Sequence, residues 1–203
     1  TFASGEVSFK DQKTSLKTDT LYFDRIKQQA YYNSGGIVKD TSSTLTSIIG
    51  RYFAKSKKYQ FSSNVEIKNP KYTINSEQLD FFSETGIAYL YGKSTITGKT
   101  STVYCEKGYY NTRKDIGYFV KNSRVDYENR IMYGDSIYFN RNKNFASATN
   151  NIQIIDTLNK SYVRGHYAEV FKNKDSVFIT KRAVAITVRE NDSIYVHADT
   201  LKI

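Results

Sequence analysis

Short segments in which apolar and polar residues alternate occur along the whole chain. Val65 and Ile67 stand two positions apart, and so do Leu79 and Phe81 in the next segment. Residues two apart in a strand point to the same face of a sheet, so each segment sends an apolar pair to one side. No window shows a sustained period of about 3.6 residues, which a helix would require. The pattern therefore predicts an all-β protein with little or no helix.

One six-residue pattern returns along the chain: a small residue, an acidic residue, any residue, an apolar residue, any residue, then an apolar or aromatic residue. The copies start at Thr18, Gly50, Ser76, Cys105, Gly134, Gly165 and Ala198. The spacing between starts is 26 to 33 residues, which is typical of a repeat architecture. The last copy stops at Ile203, so we expect either that the natural chain continues or that this edge is paired.

A second alternating segment precedes each copy by about ten residues. In several of these segments a Gly or Asn stands just before the apolar pair, as at Gly5, Asn64 and Asn151. Such residues tolerate a positive φ, so we expect a bulge or bend there. The repeating unit is thus two strands, and about seven units give about 14 strands. No linker or change in composition divides the chain, and we expect residues 1–203 to form a single domain.

A stack of antiparallel hairpins with one apolar face each cannot bury that face alone. Two facing sheets or one nearly closed sheet would bury it, so the sequence predicts a two-sheet solenoid of repeated antiparallel hairpins or one sheet rolled nearly closed. The predicted inward apolar residues are Leu21, Phe23, Val65, Ile67, Leu79, Phe81, Ile137, Phe139, Ile152, Ile154, Val184 and Ile186.

The alternation leaves open whether these residues line a groove or fill a closed core. A groove would take acyl chains, because each buried CH₂ contributes about 0.8 kcal/mol. The small residues Gly108 and Ala168 fall at inward positions, where they would leave room for a ligand. Lys55 stands where the second copy would carry an inward aromatic residue.

The chain is basic, with 30 Lys and Arg against 20 Asp and Glu, a net charge of +10. Pairs of basic residues recur in the turn that follows the aromatic strand. The predicted basic ridge comprises Lys57, Lys58, Arg113, Lys114, Arg141, Lys143, Lys172 and Lys174. If the copies stack, the ridge would attract lipid phosphates or an anionic membrane surface. The alternative is that these lysines keep the turns soluble and prevent edge pairing.

Catalytic motifs are scarce in this sequence. Its two histidines, His166 and His197, fall at or beside a repeat start, and Cys105 fits the small-residue position of its copy. We find no metal-ligand spacing, phosphate loop or nucleophile elbow. We therefore expect a protein that is not an enzyme and that needs no cofactor or metal. No RNP1-like pattern accompanies the basic charge, so nucleic-acid binding is not expected either.

Membrane-spanning segments are not expected. No run approaches about 18 apolar residues, the mean hydropathy is −0.58, and the alternating segments are shorter than barrel strands. The chain begins at Thr1 without a basic and apolar leader, so we expect any leader to have been removed.

The repeat resembles that of the LptA/OstA-type proteins of lipopolysaccharide transport. The residues that carry this resemblance are GEVSFKD at 5–11, LKTDTLYFD at 16–24, VEIKN from Val65 and INSEQLDF from Ile74. The resemblance implies an open β-jelly roll that holds the acyl chains of lipid A, lies in the periplasm towards the outer membrane, and joins other jelly rolls, or copies of itself, end to end. The alternative is a repeat scaffold that binds protein or glycan partners without a lipid groove.

Overall fold

The structure is a computed structural model that describes residues 1–10, 14–174, 176–190 and 192–202. Asp11, which the sequence assigned to the first alternating segment, and Ile203, the final residue of the last copy, lie outside the described residues. The described residues form sixteen strands, every pairing whose register is defined is antiparallel, and one 3-10 turn follows at Lys172–Lys174. The all-β prediction is confirmed.

The chain divides into two compact units. Unit 1 comprises Thr1–Lys99 with Asn111–Arg113, and unit 2 comprises Thr100–Tyr110 with Lys114–Ile203. The strands of unit 1 are β1 (Phe2–Lys10), β2 (Ser15–Asp24), β3 (Gln29–Tyr32), β4 (Gly36–Lys39), β5 (Thr44–Ser47), β6 (Ile49–Phe53), β7 (Lys58–Lys68), β8 (Tyr72–Phe82) and β9 (Ile87–Gly98).

Unit 2 contains the remaining strands. They are β10 (Ser101–Asn111, whose last residue belongs to unit 1), β11 (Ile116–Tyr127), β12 (Arg130–Asn140), β13 (Phe145–Asp156), β14 (Ser161–Phe171), β15 (Ser176–Val188) and β16 (Ser193–Lys202). Each strand of unit 2 pairs with its neighbours in chain order. The assignment of residues 1–203 to a single domain stays a prediction.

The strand count differs from the expected fourteen because two strands of unit 1 are interrupted. β3 and β4 both pair with β2, and β5 and β6 both pair with β7. Each pair therefore occupies the place of one long strand, divided at residues 33–35 or at Ile48. With each interrupted strand counted once, the described chain has the fourteen strands of seven hairpins.

The long strands turn a corner near their middle. Two successive residues there have positive φ, for example Ser63 and Asn64 in β7, or Asn150 and Asn151 in β13. The register shifts at the same points, so two residues of the bent strand lie opposite a single residue of its partner. The bend predicted at Asn64 and Asn151 is confirmed. Each long strand consequently has two halves with different directions.

The small residue of the repeat lies on the inner side of this corner. Val65, just past the corner of β7, pairs with Ser76, and Ile152 in β13 pairs with Gly165. A Cβ built on Gly165 would lie 2.5 Å from Ile179 Cγ2, so a larger residue does not fit there. The small position recurs because the corner leaves no room for a large side chain.

The acidic residue of the repeat lies beside the corner of the following strand. Asn122, which has φ 55°, donates its side-chain amide to Glu106 Oε1 at 2.8 Å. Asn151, with φ 48°, donates in the same way to Asp135 Oδ2 at 2.9 Å. These side-chain bonds hold an Asn in a conformation that L residues adopt at a cost. The acidic position thus stabilises the corner.

The second copy of the repeat begins at Ser47 and not at Gly50. Ser47 is buried at a corner. Gly50 pairs with Phe61, and Phe61 pairs with Leu79, which is the fourth residue of the copy that starts at Ser76. Gly50 is therefore the fourth residue of the second copy. Thr18, Ser47, Ser76, Cys105 and Gly134 then follow one another at intervals of 29 residues. The inward aromatic residue of this copy is Tyr52, whose ring lies 4.5 Å from that of Tyr59, and the apparent departure at Lys55 disappears.

Large side chains fill the space beside the inward glycines. A Cβ on Gly36 or Gly50 would lie 2.3 Å from the ring of Tyr32, and a Cβ on Gly108 would lie 2.9 Å from Phe119 Cδ1. Ala168 is fully buried. The expectation that Gly108 and Ala168 leave room for a ligand is wrong, because this part of the interior is packed by the protein's own side chains.

Candidate functional site

An apolar groove of about 510 Å³ lies between the two strand halves of unit 1. One wall comes from the strand halves on one side of the corners, where Val38, Leu45 and Ile67 follow one another in register. The other wall comes from the halves on the other side of the corners, where Tyr59 pairs with Phe81 and Phe81 with Ala88. Both walls line the same space, so the two halves face each other across it. Its volume falls within the roughly 300–1,000 Å³ of small-molecule sites.

The mouth of the unit 1 groove is polar. On one side, the turn from Asp40 to Ser43 closes on itself, because Asp40 Oδ1 accepts the backbone N–H of Ser43 at 2.6 Å. On the other side, Arg113 donates Nη2 to the carbonyl oxygen of Ser83 at 2.8 Å. Each side therefore makes its hydrogen bonds within its own turns, and these bonds do not cross the groove.

A smaller cavity, of about 120 Å³, lies between the corresponding strand halves of unit 2. Val125, Met132 and Ile154 form one wall in register. Phe139 and Ala146, which pair with each other, form part of the opposite wall. The cavity is apolar like the groove of unit 1 but encloses much less volume.

Three cationic side chains, Arg130, Arg141 and Lys172, stand at the mouth of the unit 2 cavity. Lys172 donates Nζ to Thr100 Oγ1 at 3.1 Å and lies 4.6 Å from the centre of the Tyr127 ring. Arg141 lies 5.8 Å from the ring of Phe139, which belongs to the cavity wall. The side chain of Lys172 therefore reaches across the mouth from the end of β14 to the end of β11.

The predicted groove residues separate into two rows in the structure. Ile67, Phe81, Phe139 and Ile154 line the groove or the cavity. The second row lies closer to the corners and is almost fully buried: Val65, Leu79, Ile137 and Ile152. The sequence left open whether these residues line a groove or fill a core. In the structure the first row lines a groove or cavity, and the second row forms the core. Lipid contact at the first row stays a prediction.

Two further predicted groove residues, Leu21 and Phe23, lie on β2. Phe23 pairs with Ala30, which pairs with Tyr52, so it continues the inner row of unit 1. Its side chain is 45% exposed. Leu21 is half-buried and pairs with Ala3 of β1. Neither residue lines the groove of about 510 Å³.

The assignment of Val184 and Ile186 to the interior is wrong. Val184 pairs with Arg164, and Ile186 pairs with Tyr162, so both point to the outer face. The inner face of β15 carries Ala183, which is 1% exposed, and Ala185. The segment RAVAITV has apolar residues on both faces, and a one-residue slip in such a segment exchanges the faces.

The predicted basic ridge lies in turns that are hydrogen-bonded to one another within each unit. Ser83 N–H donates to the carbonyl of Lys57 at 3.3 Å, and Lys172 N–H donates to that of Asn144 at 3.0 Å. The expected stacking of turns is therefore present in each unit. Of the predicted ridge, Lys57, Arg113, Lys114, Lys143, Lys172 and Lys174 are exposed, whereas Lys58 and Arg141 are half-buried.

Several ridge cations already have partners of their own. Lys57 Nζ lies 2.7 Å from Glu84 Oε1, and this hydrogen bond raises the pKa of Lys57 and lowers that of Glu84. Lys58 Nζ lies 3.2 Å from Asp80 Oδ2. Lys174 lies 5.8 Å from the Phe171 ring. Anion binding by the ridge stays a prediction.

The candidate catalytic residues do not form a site. Cys105 is buried, and burial raises the pKa of its thiol to about 12, so it stays protonated at neutral pH. His166 and His197 are exposed on different strands. Among the residues that the structure describes, no three His, Cys, Asp or Glu side chains are grouped as metal ligands. In the same residues, no helix has the length and apolar character needed to span a membrane.

Sequence reasoning missed part of both sites. Tyr59 and Leu45 line the unit 1 groove, and Arg130 and Met132 line the unit 2 cavity. A signal for Tyr59 exists, since it stands two residues before Phe61 in the alternating part of β7. The contact between Lys172 and Thr100 joins residues 72 positions apart, and no local pattern announces it.

Comparison with known proteins supports the resemblance inferred from the repeat. The model of a family described as OstA-like protein matches residues 2–77, all of them in unit 1. Among solved structures, the chain is similar to LptH from Pseudomonas aeruginosa, described as the LptA homologous periplasmic component of the lipopolysaccharide transport device. The two chains share 12% identity with a TM-score of 0.50, over 61% of this chain and 92% of LptH.

No curated protein matches the chain. The likeness to LptH concerns the fold, since the identity is low. Together the two matches confirm the resemblance to OstA-like proteins and the jelly-roll fold that it implied.

Proposed function

We propose that this chain is a non-enzymatic lipid-binding module of lipopolysaccharide transport that holds acyl chains in the groove of unit 1. The groove of about 510 Å³ carries this proposal, because its walls are apolar and its mouth is polar. The match of unit 1 to the OstA-like family and the fold shared with LptH support it.

The two rows of inward residues explain how such a groove would work. The deep row, with Leu79 fully buried, keeps the strand halves fixed. The next row, with Ile67 and Phe81, offers apolar surface that the protein does not cover with its own side chains. An acyl chain laid along this row would gain about 0.8 kcal/mol for each CH₂ removed from water. Arg113 at the mouth would face the phosphate-bearing head group, which would remain in solvent.

Location and partners follow from the same proposal. A carrier of lipopolysaccharide works between membranes, so we place the protein in the periplasm, towards the outer membrane. The end strands favour association with other jelly rolls or with further copies. Phe9 on β1 and Val196 on β16 are 55% and 50% exposed, although they lie on inner rows. Pairing of either edge with another strand would cover them.

Photo-crosslinking tests the lipid groove. A benzophenone amino acid replaces Phe81 on the groove wall or, as a matched control, Tyr89 on the outer face, and the purified chain is irradiated with lipopolysaccharide. We expect crosslinks from position 81 and none from position 89. Equal crosslinking at the two positions, or none at position 81 in a folded protein, would contradict the proposal.

A further inference from the structure

The unit 2 cavity combines an apolar interior with a cationic mouth. Val125, Met132 and Phe139 line the interior, whereas Arg130, Arg141 and Lys172 stand at the opening. A ligand that complements both parts has a short apolar segment and an anionic head. Its volume of about 120 Å³ corresponds to about four water molecules at about 30 Å³ each, enough for a few methylenes.

Lys172 spans the mouth of this cavity in the structure. Its ammonium bonds to the Thr100 hydroxyl at 3.1 Å and lies 4.6 Å from the Tyr127 ring, so its four-carbon stem crosses the opening. The contact with Thr100 is exposed and its acceptor is neutral. An anionic oxygen adds a Coulombic attraction for the ammonium that a neutral hydroxyl lacks. An anion at the mouth would therefore draw Lys172 away from Thr100.

Acidic groups near the mouth limit which cations are available. Arg130 pairs in register with Asp156. The backbone N–H of Asn159, with smaller contributions from other groups including Arg130, lowers the pKa of Asp156, so its carboxylate stays charged. Asp156 consequently offsets part of the charge of Arg130. Lys172, which contacts a hydroxyl and an aromatic ring, is the mouth cation that attracts an anion.

We propose that the unit 2 cavity is a second binding site, specific for single-chain amphiphiles with an anionic head group, and that Lys172 is its gate. The head group draws Lys172 off Thr100 and Tyr127 and binds to its ammonium at the mouth. The first methylenes of the chain then enter the space against Met132 and Phe139. This inference rests on the proposed function for its choice of an acylated, anionic ligand class.

The single methionine of the chain provides a direct probe. Met132 lines the cavity, so a protein labelled with ¹³C in its methionine methyl group gives one resonance from the site. Hexyl phosphate, hexyl glucoside and inorganic phosphate are titrated separately. We expect a saturable shift of the Met132 methyl signal with hexyl phosphate, about tenfold weaker binding of hexyl glucoside, and no shift with inorganic phosphate.

Two substitutions separate the roles of charge and gate. Lys172→Gln keeps a donor near Thr100 but loses the charge, and it should weaken hexyl phosphate about tenfold while leaving hexyl glucoside unchanged. Thr100→Val removes the acceptor that holds Lys172, and it should tighten hexyl phosphate about threefold. Lys160→Gln, at an exposed cation of unit 2 outside both the predicted ridge and the cavity lining, is the matched control and should leave both ligands unchanged. An unshifted Met132 signal in each free variant shows that the fold is intact.

Three other outcomes overturn the inference. An equal response to hexyl phosphate and hexyl glucoside would mean that the mouth does not select anions. A response to inorganic phosphate alone would mean a simple phosphate site. Crosslinking of lipopolysaccharide at position 81 with a silent Met132 would overturn this inference and leave the proposed function standing. A Met132 response without crosslinking at position 81 would overturn the proposed function and leave this inference standing.

Discussion

The groove of unit 1 and the cavity of unit 2 are built from the same repeat positions, yet they enclose about 510 Å³ and about 120 Å³. Ile67 corresponds to Ile154, and Phe81 corresponds to Phe139, in equivalent strands. The deep rows are equally buried. The mouths differ, because Arg113 bonds within its own row of turns whereas Lys172 crosses to Thr100. The repeat builds the walls, and the turn residues decide whether the space stays open.

The deep row gives the largest expected effect. Leu79→Ala in unit 1 and Ile137→Ala in unit 2 each remove a side chain that is fully buried. Both should lower the free energy of unfolding by about 2–5 kcal/mol, measured in urea. The control Leu158→Ala, at a side chain that is 72% exposed, should change it by less than about 0.5 kcal/mol. A small effect at only one of the two buried sites would break the equivalence of the deep rows.

Substitutions in the next row should change ligand affinity by different amounts in the two units. Phe81→Ala removes part of the open groove wall, and it should weaken lipopolysaccharide binding about tenfold, since a large apolar contact contributes about 1.5 kcal/mol. Phe139→Ala alters the smaller cavity and should change this affinity less than about twofold. Fluorescence titration measures both. The same loss in the two variants would mean that the larger groove is not the main site.

Charge at the open mouth should have a smaller effect. Arg113→Gln removes a cation that lines the groove, and it should weaken binding of anionic lipid about threefold at low salt. The difference should vanish at high salt, because exposed charges are screened. Lys160→Gln, at an exposed cation of unit 2 outside the predicted ridge, is the control and should have no effect. An unchanged affinity in Arg113→Gln at low salt would remove this residue from the site.

The corner residues should differ between the units only at alkaline pH. Cys105 stands in unit 2 where Ser76 stands in unit 1, and burial raises its pKa to about 12 from the roughly 8.5 of an unfolded thiol. The folded protein therefore keeps the thiol proton to a higher pH than the unfolded chain does. The stability that this difference contributes is fully present below about pH 8.5 and is lost as the pH rises towards 12. Cys105→Ser should reduce this alkaline loss.

The measurement for the corner is the free energy of unfolding between pH 7 and pH 11 for both proteins. Ser76 itself donates to the carbonyl of Gln78 at 2.8 Å, so a serine hydroxyl has a precedent at such a corner. Parallel pH profiles of the wild type and Cys105→Ser would show that the thiol is not the group that titrates.

Much of the fold follows from local pattern, because alternation reports which residues share a face. It identified the inner pairs of β7, β8, β12 and β13, and the Asn and Gly residues at the corners. It failed at Val184 and Ile186, where both faces of the strand are apolar, and at Gly50, because Ser47 is a second small residue three positions earlier. The local pattern also gave no indication of the open mouth of unit 1 or the bridge from Lys172 to Thr100. Both depend on residues brought together from distant turns.

A crystal structure of the chain with bound lipid A tests the central claim most directly. The account predicts an acyl chain between Ile67 and Phe81 in unit 1, with the phosphates at the mouth beside Arg113 and the deep row unmoved. A groove closed by its own tyrosines, with the lipid elsewhere on the surface, would contradict it.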